Sequence, residues 1–600
     1  MNFLYYRMIS RIIFFVVSIV MCYASFFFYP RWKQPDTQAA ISWDVSGYYW
    51  YLPSVFIFKD LKHQSFKDSI LYKYRPTNTD FQQAIRCENG NYVMKYASGM
   101  AIMYFPFFIA AHILAGPLGY PADGFSAPYQ FAIQFGGLLI SIIGLWYFRK
   151  LLLSFYSDEV VAIVLVLLVL GSNYLNSATI DSGMSHCWLF TIYVFILLNT
   201  QYYYQSFKSR YALRIGLLIG LAVLTRPSDI VSCLIPILWG MESININSLK
   251  SRLVLIVQNY ASVLLAVVCA SGVIFIQLVY WKYASGHWLF YSYQNQNLYF
   301  RSPNFVNYTF SYRSGWLTYS PLLALAFLGI VPFVTGGKNK VAIITFFLIN
   351  YYIVCCWNIW WYGGRAMIQS YPVLFFPVAE LVKLSLNRKM QMSFLVAVAA
   401  IFIYYNIWII YQSHNDGLFV IDSVKKAYFW RVVGRWKVPV NAVLLIDNPE
   451  WYEGKRENER IIIQDDFAND TGTIYLPHIA GNGKTLALDF SRQKSDIYKI
   501  PFSDNGVKWI RAQAVFHCDI KEWDEWHMAQ FILRLVNKGR TIKENIVRVD
   551  RVLWNGSTKN ISIDMKLPPG DYDAVNILFW NGGSEYPIYI DSLRAWSFNE

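Results

Sequence analysis

MISRIIFFVVSIVMCYASFFFY, residues 8–29, carries a single charged side chain, Arg11, near its start. As a helix rising about 1.5 Å per residue, the run is long enough to cross the roughly 30 Å hydrocarbon core of a bilayer. It is too long and too aromatic for a signal peptide and lacks a small-residue cleavage site, so it reads as a retained membrane anchor.

The rest of the chain extends that reading. Of 600 residues, 55% are hydrophobic, 18% aromatic and only 15% charged, against roughly 25% charged in soluble chains. Further apolar runs of crossing length occupy 127–148, 158–178, 185–205, 256–280, 317–336, 340–358, 370–386 and 391–411, with a shorter pair at 211–241. Residues 412–600 carry charge at ordinary soluble density. The expected organisation is a transmembrane domain over 1–411, whose first outer loop (30–126) holds interface helices, and a separate domain over 412–600.

Basic residues orient the spans, because Lys and Arg collect on the cytoplasmic side. Arg7 and Arg11, Arg149 and Lys150, Lys208 to Arg214, Lys250 and Arg252, Lys338 and Lys340, and Arg388 and Lys389 all fall there together on two conditions. Residues 98–118 must not cross fully, and 211–241 must cross twice as a hairpin around TRPSD. The result is a polytopic helical protein of about eleven crossings, amino terminus cytoplasmic, with 30–126, 281–316 and 412–600 facing the periplasm or a lumen. The net charge of +14 is then a topology signal rather than a sign of nucleic-acid binding. Eight cysteines are scattered, with no CxxC spacing and no disulfide framework; only Cys87 and Cys518 lie in outer segments, where one bridge is open to them.

Within 412–600, ten short alternating runs from RIIIQDDF to YPIYIDSLRAW predict an all-β sandwich of jelly-roll type. Trp523, Trp526 and Trp554 there either stack on sugar rings or pack the domain.

Polar residues in the membrane part are the candidate site. Asp44, in ISWDVSGYYWYLPSVF (41–56), heads an aromatic segment expected to lie in the membrane interface. It reads equally as an N-cap, like Ser42, or as a general base in a poorly solvated pocket. Lys95 and Tyr96 open the 98–118 segment, the lysine snorkelling or meeting a lipid phosphate. Asp181, Ser185 and His186 fall at an outer boundary and are too few for a metal site. Arg226 lies inside the short hairpin, where an arginine is costly, and either pairs with Asp229 or faces an anionic ligand. Arg365 follows a Gly-Gly turn that allows close backbone approach and offers bidentate phosphate recognition. Tyr48 and Tyr49 beside Asp44, and Arg313 in the 281–316 loop, complete the candidates for contacting substrate.

WDVSGYYWYLPSVF, KYASGMAIMYFPFF, MSHCWLF, LTRPSD, GWLTYSPLL and WWYGGRAMIQSYP, in that order along 1–411, resemble blocks of the GT-C glycosyltransferases. The resemblance is to the protein mannosyltransferase and aminoarabinose transferase group (glycosyltransferase family 39-like), Bacteroidetes type. It implies a bacterial inner-membrane enzyme that takes sugar from a polyprenyl-phosphate donor on the periplasmic face, inverts the anomeric centre, and passes it to a lipid, glycan or protein acceptor. It further implies that Asp44 is the catalytic carboxylate of the first loop, that Lys95 contacts the lipid phosphate, and that Arg365 is the arginine of the late Gly-rich turn. Two departures stand out: KYASG replaces a proline-rich sequence, and Val45 follows Asp44 where many members carry a second acid. The second speaks against a divalent metal held there. No cofactor is implied.

Electrostatic stabilisation of the departing phosphate by Lys95, Arg365 and Arg226 and proton removal by Asp44 fit these residue types. Two other classes stay open, a transporter or flippase of lipid-linked sugars and a membrane-anchored carbohydrate-binding protein. The first lacks a visible inverted repeat and the second an inward signalling domain.

Overall fold

The computed structural model describes residues 8–77, 81–294, 296–357, 362–415, 424–439, 441–467, 473–475, 484–503, 506–520, 527–553 and 556–600. The chain divides into two compact units, Met1–His414 and Asn415–Glu600.

The first unit is helical. Among the described residues five helices are long and apolar enough to cross a membrane: Met8–Lys33, Ala127–Leu152, Tyr260–Ser285, Gly363–Leu386 and Lys389–His414. Tyr260–Ser285 is inverted relative to a soluble helix. Its buried positions include Ser262, Gln277, Tyr280 and Ser285, while Leu264, Val267, Val268, Phe275 and Ile276 are exposed. Water would penalise that arrangement, whereas hydrocarbon favours it because polar groups need partners inside the protein.

Several runs that the sequence predicts as single crossings are broken into shorter pieces. Residues 158–178 form Asp158–Leu170 and Tyr174–Thr179. The intervening Ser172 bonds back to Leu168 O (2.6 Å) and Asn173 leaves the helix to bond elsewhere. The 211–241 run, expected to be a hairpin around TRPSD rather than a single crossing, divides there into Ser209–Thr225, a 3-10 segment Pro227–Cys233 and Leu234–Leu238, with Arg226 in extended conformation before its proline. Ser320, outside the helical region and also before a proline, separates Trp316–Tyr319 from Pro321–Gly336. Gly99–Ala115, Pro321–Gly336 and Lys340–Cys355 are apolar but shorter than the five.

Two contacts fix the bundle. Asp158 Oδ2 accepts the backbone N–H groups of Ile9 (2.8 Å) and Ser10 (3.2 Å), so one helix start supplies the cap for another. Arg149 Nε donates to Ser10 Oγ (2.7 Å) in the same cluster. On Ser209–Thr225, a Cβ on Gly216 would lie 2.3 Å from Ala266 O and one on Gly220 2.8 Å from Ala270 O. This small-xxx-small face lets two backbones touch.

The segment that follows the first membrane-length helix places the site. Trp43–Tyr49 and Tyr51–Phe56 are nearly continuous; the break lies at Trp50, because Pro53 has no N–H for the Tyr49 carbonyl. Beyond them strands β1 (Ala84–Arg86) and β2 (Tyr92–Met94) pair as an antiparallel hairpin.

The second unit is all-β among its described strands: β3 (Glu457–Asp465), β4 (Thr473–Tyr475), β5 (Lys484–Leu488), β6 (Tyr498–Pro501), β7 (Trp509–Cys518), β8 (Gln530–Asn537), β9 (Arg540–Arg548), β10 (Ser557–Lys566), β11 (Ala574–Trp580) and β12 (Ile588–Asn599). One antiparallel sheet runs β10-β7-β12-β5-β4 with β3 also on β12, and the other runs β6-β11-β8-β9. Ser592, at φ 34, sits at the bulge where β12 shifts register against β7. On either side of it β12 pairs first with β5, through Ile588–Ile590, and then with β3 from Leu593 onward. Inward residues alternate along β7 (Ile510, Ala512, Ala514, Phe516) and meet Phe531 and Phe579 of the opposite sheet, with ring centroids 5.4 and 5.7 Å from Phe516. Trp523, Trp526 and Trp554 lie outside the described residues. All eight cysteines are free thiols. Cys518 is buried in β7 and donates to Pro587 O.

Candidate functional site

Asp44 does not cap its helix: no side-chain bond caps the helix start at Ser42. The carboxylate turns to two donors from distant parts of the chain. Tyr96 O–H donates to Oδ1 (2.7 Å) and Arg365 Nη2 donates to Oδ2 (2.7 Å). Both charged side chains are about three-quarters covered, at 24% and 28% exposure, so the pair is poorly screened by solvent.

Each partner has a local reason for its place. Tyr96 lies on Gly47, where a Cβ would come within 2.6 Å of its ring. Tyr51 O–H donates to the Tyr96 carbonyl (2.7 Å), and the Tyr48 ring packs 4.5 Å from the Tyr96 ring. The hairpin is strapped to the same helix by Gln83 Nε2, which donates to Ser46 Oγ (2.8 Å), while Lys95 N donates to Gln83 O (2.9 Å).

Arg365 is aimed by the double-glycine turn. Gly363 (φ 59) and Gly364 (φ 61) are left-handed, which side chains disfavour. A Cβ on Gly364 would meet Trp316 Cβ at 2.6 Å. The turn is tied down by Gly364 N to Ser314 O (3.0 Å), Tyr308 O–H to Gly364 O (2.9 Å) and Asn173 Nδ2 to Gly363 O (2.7 Å).

Arg226 stands beside this pair. It does not form an ion pair with Asp229; Nη1 lies 3.2 Å from His186 Nδ1, which is also 3.4 Å from Gln369 Oε1. A guanidinium can only donate, so Nδ1 of His186 is the acceptor in this contact. The Tyr48 hydroxyl is pushed above its ordinary range first by burial and then by Asp44, while Arg226 and Arg365 act in the opposite sense. Asp44, Arg226 and Arg365 therefore all act on the same phenol. Tyr96 and Tyr293 are likewise pushed up, chiefly by burial, and Asp44 adds to both.

Lys95 takes a different direction. Its ammonium sits 5.6 Å above the Tyr96 ring and lines a cavity of about 490 Å³ together with Arg86, Tyr92, Ser292, Tyr293 and Gln294. Tyr49 is a core residue whose hydroxyl donates to Gly124 O (2.5 Å). Asp181 pairs with Arg31 (2.5 Å) and accepts from Asn176 (2.8 Å). Arg31 also donates to Ser42 Oγ (3.0 Å), so this second network braces the segment that carries Asp44. Arg313 is exposed, next to Ser314 of the glycine-turn contact. Tyr96 entered the sequence reading only as the neighbour of Lys95; Arg31, Gln83 and Gln369 carried no signal there, being ordinary polar residues whose partners are remote. Among the described residues no three His, Cys, Asp or Glu side chains converge as a metal site.

No protein-family model matches the chain, and no curated protein matches it.

Proposed function

We propose that this chain is an inverting membrane glycosyltransferase that moves a sugar from a polyprenyl-phosphate donor to an acceptor hydroxyl on a lipid, glycan or protein. The observation that carries the proposal is the Asp44 carboxylate held between Tyr96 and Arg365, with Arg226 beside them. A base next to two guanidinium groups, in a partly covered site of a chain with membrane-length helices, suits displacement of a lipid phosphate. Asp44 accepts the proton of the acceptor O–H, the acceptor oxygen bonds to the anomeric carbon, and the bond from that carbon to the phosphate oxygen breaks. The electron pair leaves with the polyprenyl phosphate, where Arg365 and Arg226 neutralise it. His186 and Gln369 act as positioning residues for Arg226.

The ion pair has a natural place in the cycle. Arriving phosphate competes with Asp44 for Arg365, and a carboxylate released from its guanidinium is free to turn to the acceptor hydroxyl.

In this reading the first unit makes about eleven crossings of a bacterial inner membrane, with the Asp44 loop and the second unit periplasmic. The alternation of β5 to β12 between the sheets, in orders β10-β7-β12-β5 and β6-β11-β8-β9, is that of a jelly roll with β3 and β4 added.

The test is Asp44→Asn in the full chain, assayed for sugar transfer from a polyprenyl-phosphate sugar. The expected result is a loss of about 10²–10⁴-fold in turnover with donor binding retained; near wild-type turnover overturns the assignment.

A further inference from the structure

The cavity of about 490 Å³ is bounded by the hairpin on one side and by Ser292, Tyr293, Gln294 and Gln296 on the other. Its volume falls in the range of small-ligand sites, and its lining is unlike a lipid groove. None of the lining residues is Asp or Glu, two are cations (Arg86 and Lys95), and most of the others are amides, hydroxyls or aromatic rings. Among the described residues neither Arg86 nor Lys95 has an acidic partner at ion-pair distance. Arg86 is exposed and Lys95 half-buried, so both cations are presented to an anion that enters the cavity.

Tyr293 links this cavity to Asp44. It lines the cavity, its ring lies 5.9 Å from that of Tyr96, and Tyr96 holds the Asp44 carboxylate. The chain thus offers two separate cation sets, Arg226 with Arg365 at the carboxylate and Arg86 with Lys95 in the cavity, joined by one pair of tyrosines.

We infer that the cavity binds the acceptor, and that the acceptor is an anionic saccharide, a sugar carrying a carboxylate or phosphate. The charge is taken by Arg86 and Lys95, and hydroxyls are met by Gln294, Gln296 and Ser292. Aromatic faces of Tyr92 and Tyr293 suit the apolar face of a sugar ring. This rests on the transferase reading above and assigns Lys95 to acceptor rather than donor.

The test is direct binding to the detergent-solubilised full chain without donor, read by saturation-transfer NMR and titration. The probes are a uronic-acid disaccharide, the matching neutral disaccharide, glucose 6-phosphate and inorganic phosphate. The anionic disaccharide is expected to bind at least 10-fold tighter than the neutral one, with glucose 6-phosphate reporting whether phosphate serves as the charge. Lys95→Gln and Arg86→Gln are each expected to weaken it about 5-fold or more, and Lys95→Glu to abolish it, with thermal unfolding unchanged. Arg365→Ala is expected to leave it unaltered. Equal binding of neutral and anionic disaccharides, no effect of the cavity variants, or inorganic phosphate binding as tightly as the sugars overturns the inference. Because no turnover is read, loss of the transferase reading would leave these affinities in place, and the two failures are separable.

Discussion

Arg365 reaches Asp44 at 2.7 Å across 321 residues of sequence. That contact joins the segment after the first membrane-length helix to the glycine turn preceding a late one, and it ties the two segments together. With both side chains largely covered, Arg365→Ala leaves a carboxylate without its counter-charge. We expect a loss of about 2 kcal/mol in unfolding free energy, smaller in the Asp44→Asn, Arg365→Ala double variant than the sum of the singles. Chemical denaturation of the four proteins of that cycle checks it; additive losses would mean that the contact contributes nothing. In donor-binding assays Arg365→Ala should weaken donor affinity more than acceptor affinity.

Tyr96→Phe removes one hydroxyl and keeps the ring on Gly47. Stability should change little, because the ring contacts with Tyr48 and Tyr293 remain. Turnover should fall about 10-fold, the value of one hydrogen bond to a charged group. A fall in melting temperature with turnover retained would assign Tyr96 to packing alone.

The glycine turn separates two otherwise similar substitutions. Gly363→Ala brings a Cβ to 3.2 Å from Tyr319 Cβ, whereas Gly364→Ala brings one to 2.6 Å from Trp316 Cβ and 3.0 Å from its Cα. Both carry the strain of a positive φ, about 1–3 kcal/mol. Gly364→Ala should be the more destabilising and should lower donor affinity, since it displaces the peptide that precedes Arg365. Thermal unfolding and donor titration of both variants check the order.

In the second unit Asp550 is 7% exposed and accepts one backbone bond, from Ala529 N (3.0 Å). Burial pushes its carboxyl up to about 7, against about 3.9 in an unfolded chain. Between those values the folded state holds a proton that the unfolded state has lost. Stability of this unit should therefore be highest at the acid end of that window, fall as pH rises from about 4 to about 7, and level off above, each pKa unit being worth on the order of 1.4 kcal/mol. Asp550→Asn should flatten this slope. Denaturation midpoints over a pH series check it, and an unchanged slope in the variant would refute it.

Much of this architecture is legible in the sequence because burial follows pattern. The ten alternating runs of residues 460–596 all contain strands, and β7 shows why: its buried positions recur every second residue. Run length was a poorer guide in the helical unit. An apolar stretch such as 158–178 shows no periodicity at its middle, yet it breaks where Asn173 turns its backbone N–H to Ser320 Oγ and its side chain to Gly363 O. Asp44, Arg226, His186 and Arg365 stood out by residue type, as charge or imidazole in apolar surroundings. Their convergence, the role of Tyr96 and the separation of Lys95 from the arginines depend on tertiary contacts between segments hundreds of residues apart, which local pattern does not encode. Tyr49 and Asp181 show the converse: each looks available in sequence, and each has its polar atoms bonded elsewhere in the fold.

The Asp158 cap has a bearing on how such a chain is made. The amide groups of Ile9 and Ser10 find their acceptor 149 and 148 residues downstream. During synthesis at about 5–20 residues per second, the earliest apolar segment therefore waits many seconds, its end open, for a carboxylate not yet translated. Until then the acceptor of these two amides is missing, so the end of the segment is not yet fixed. The cap turns a loosely inserted segment into a fixed one only after the next long helix, Ala127–Leu152, has emerged, making Asp158 a latch on the order of assembly as much as a contact in the finished protein.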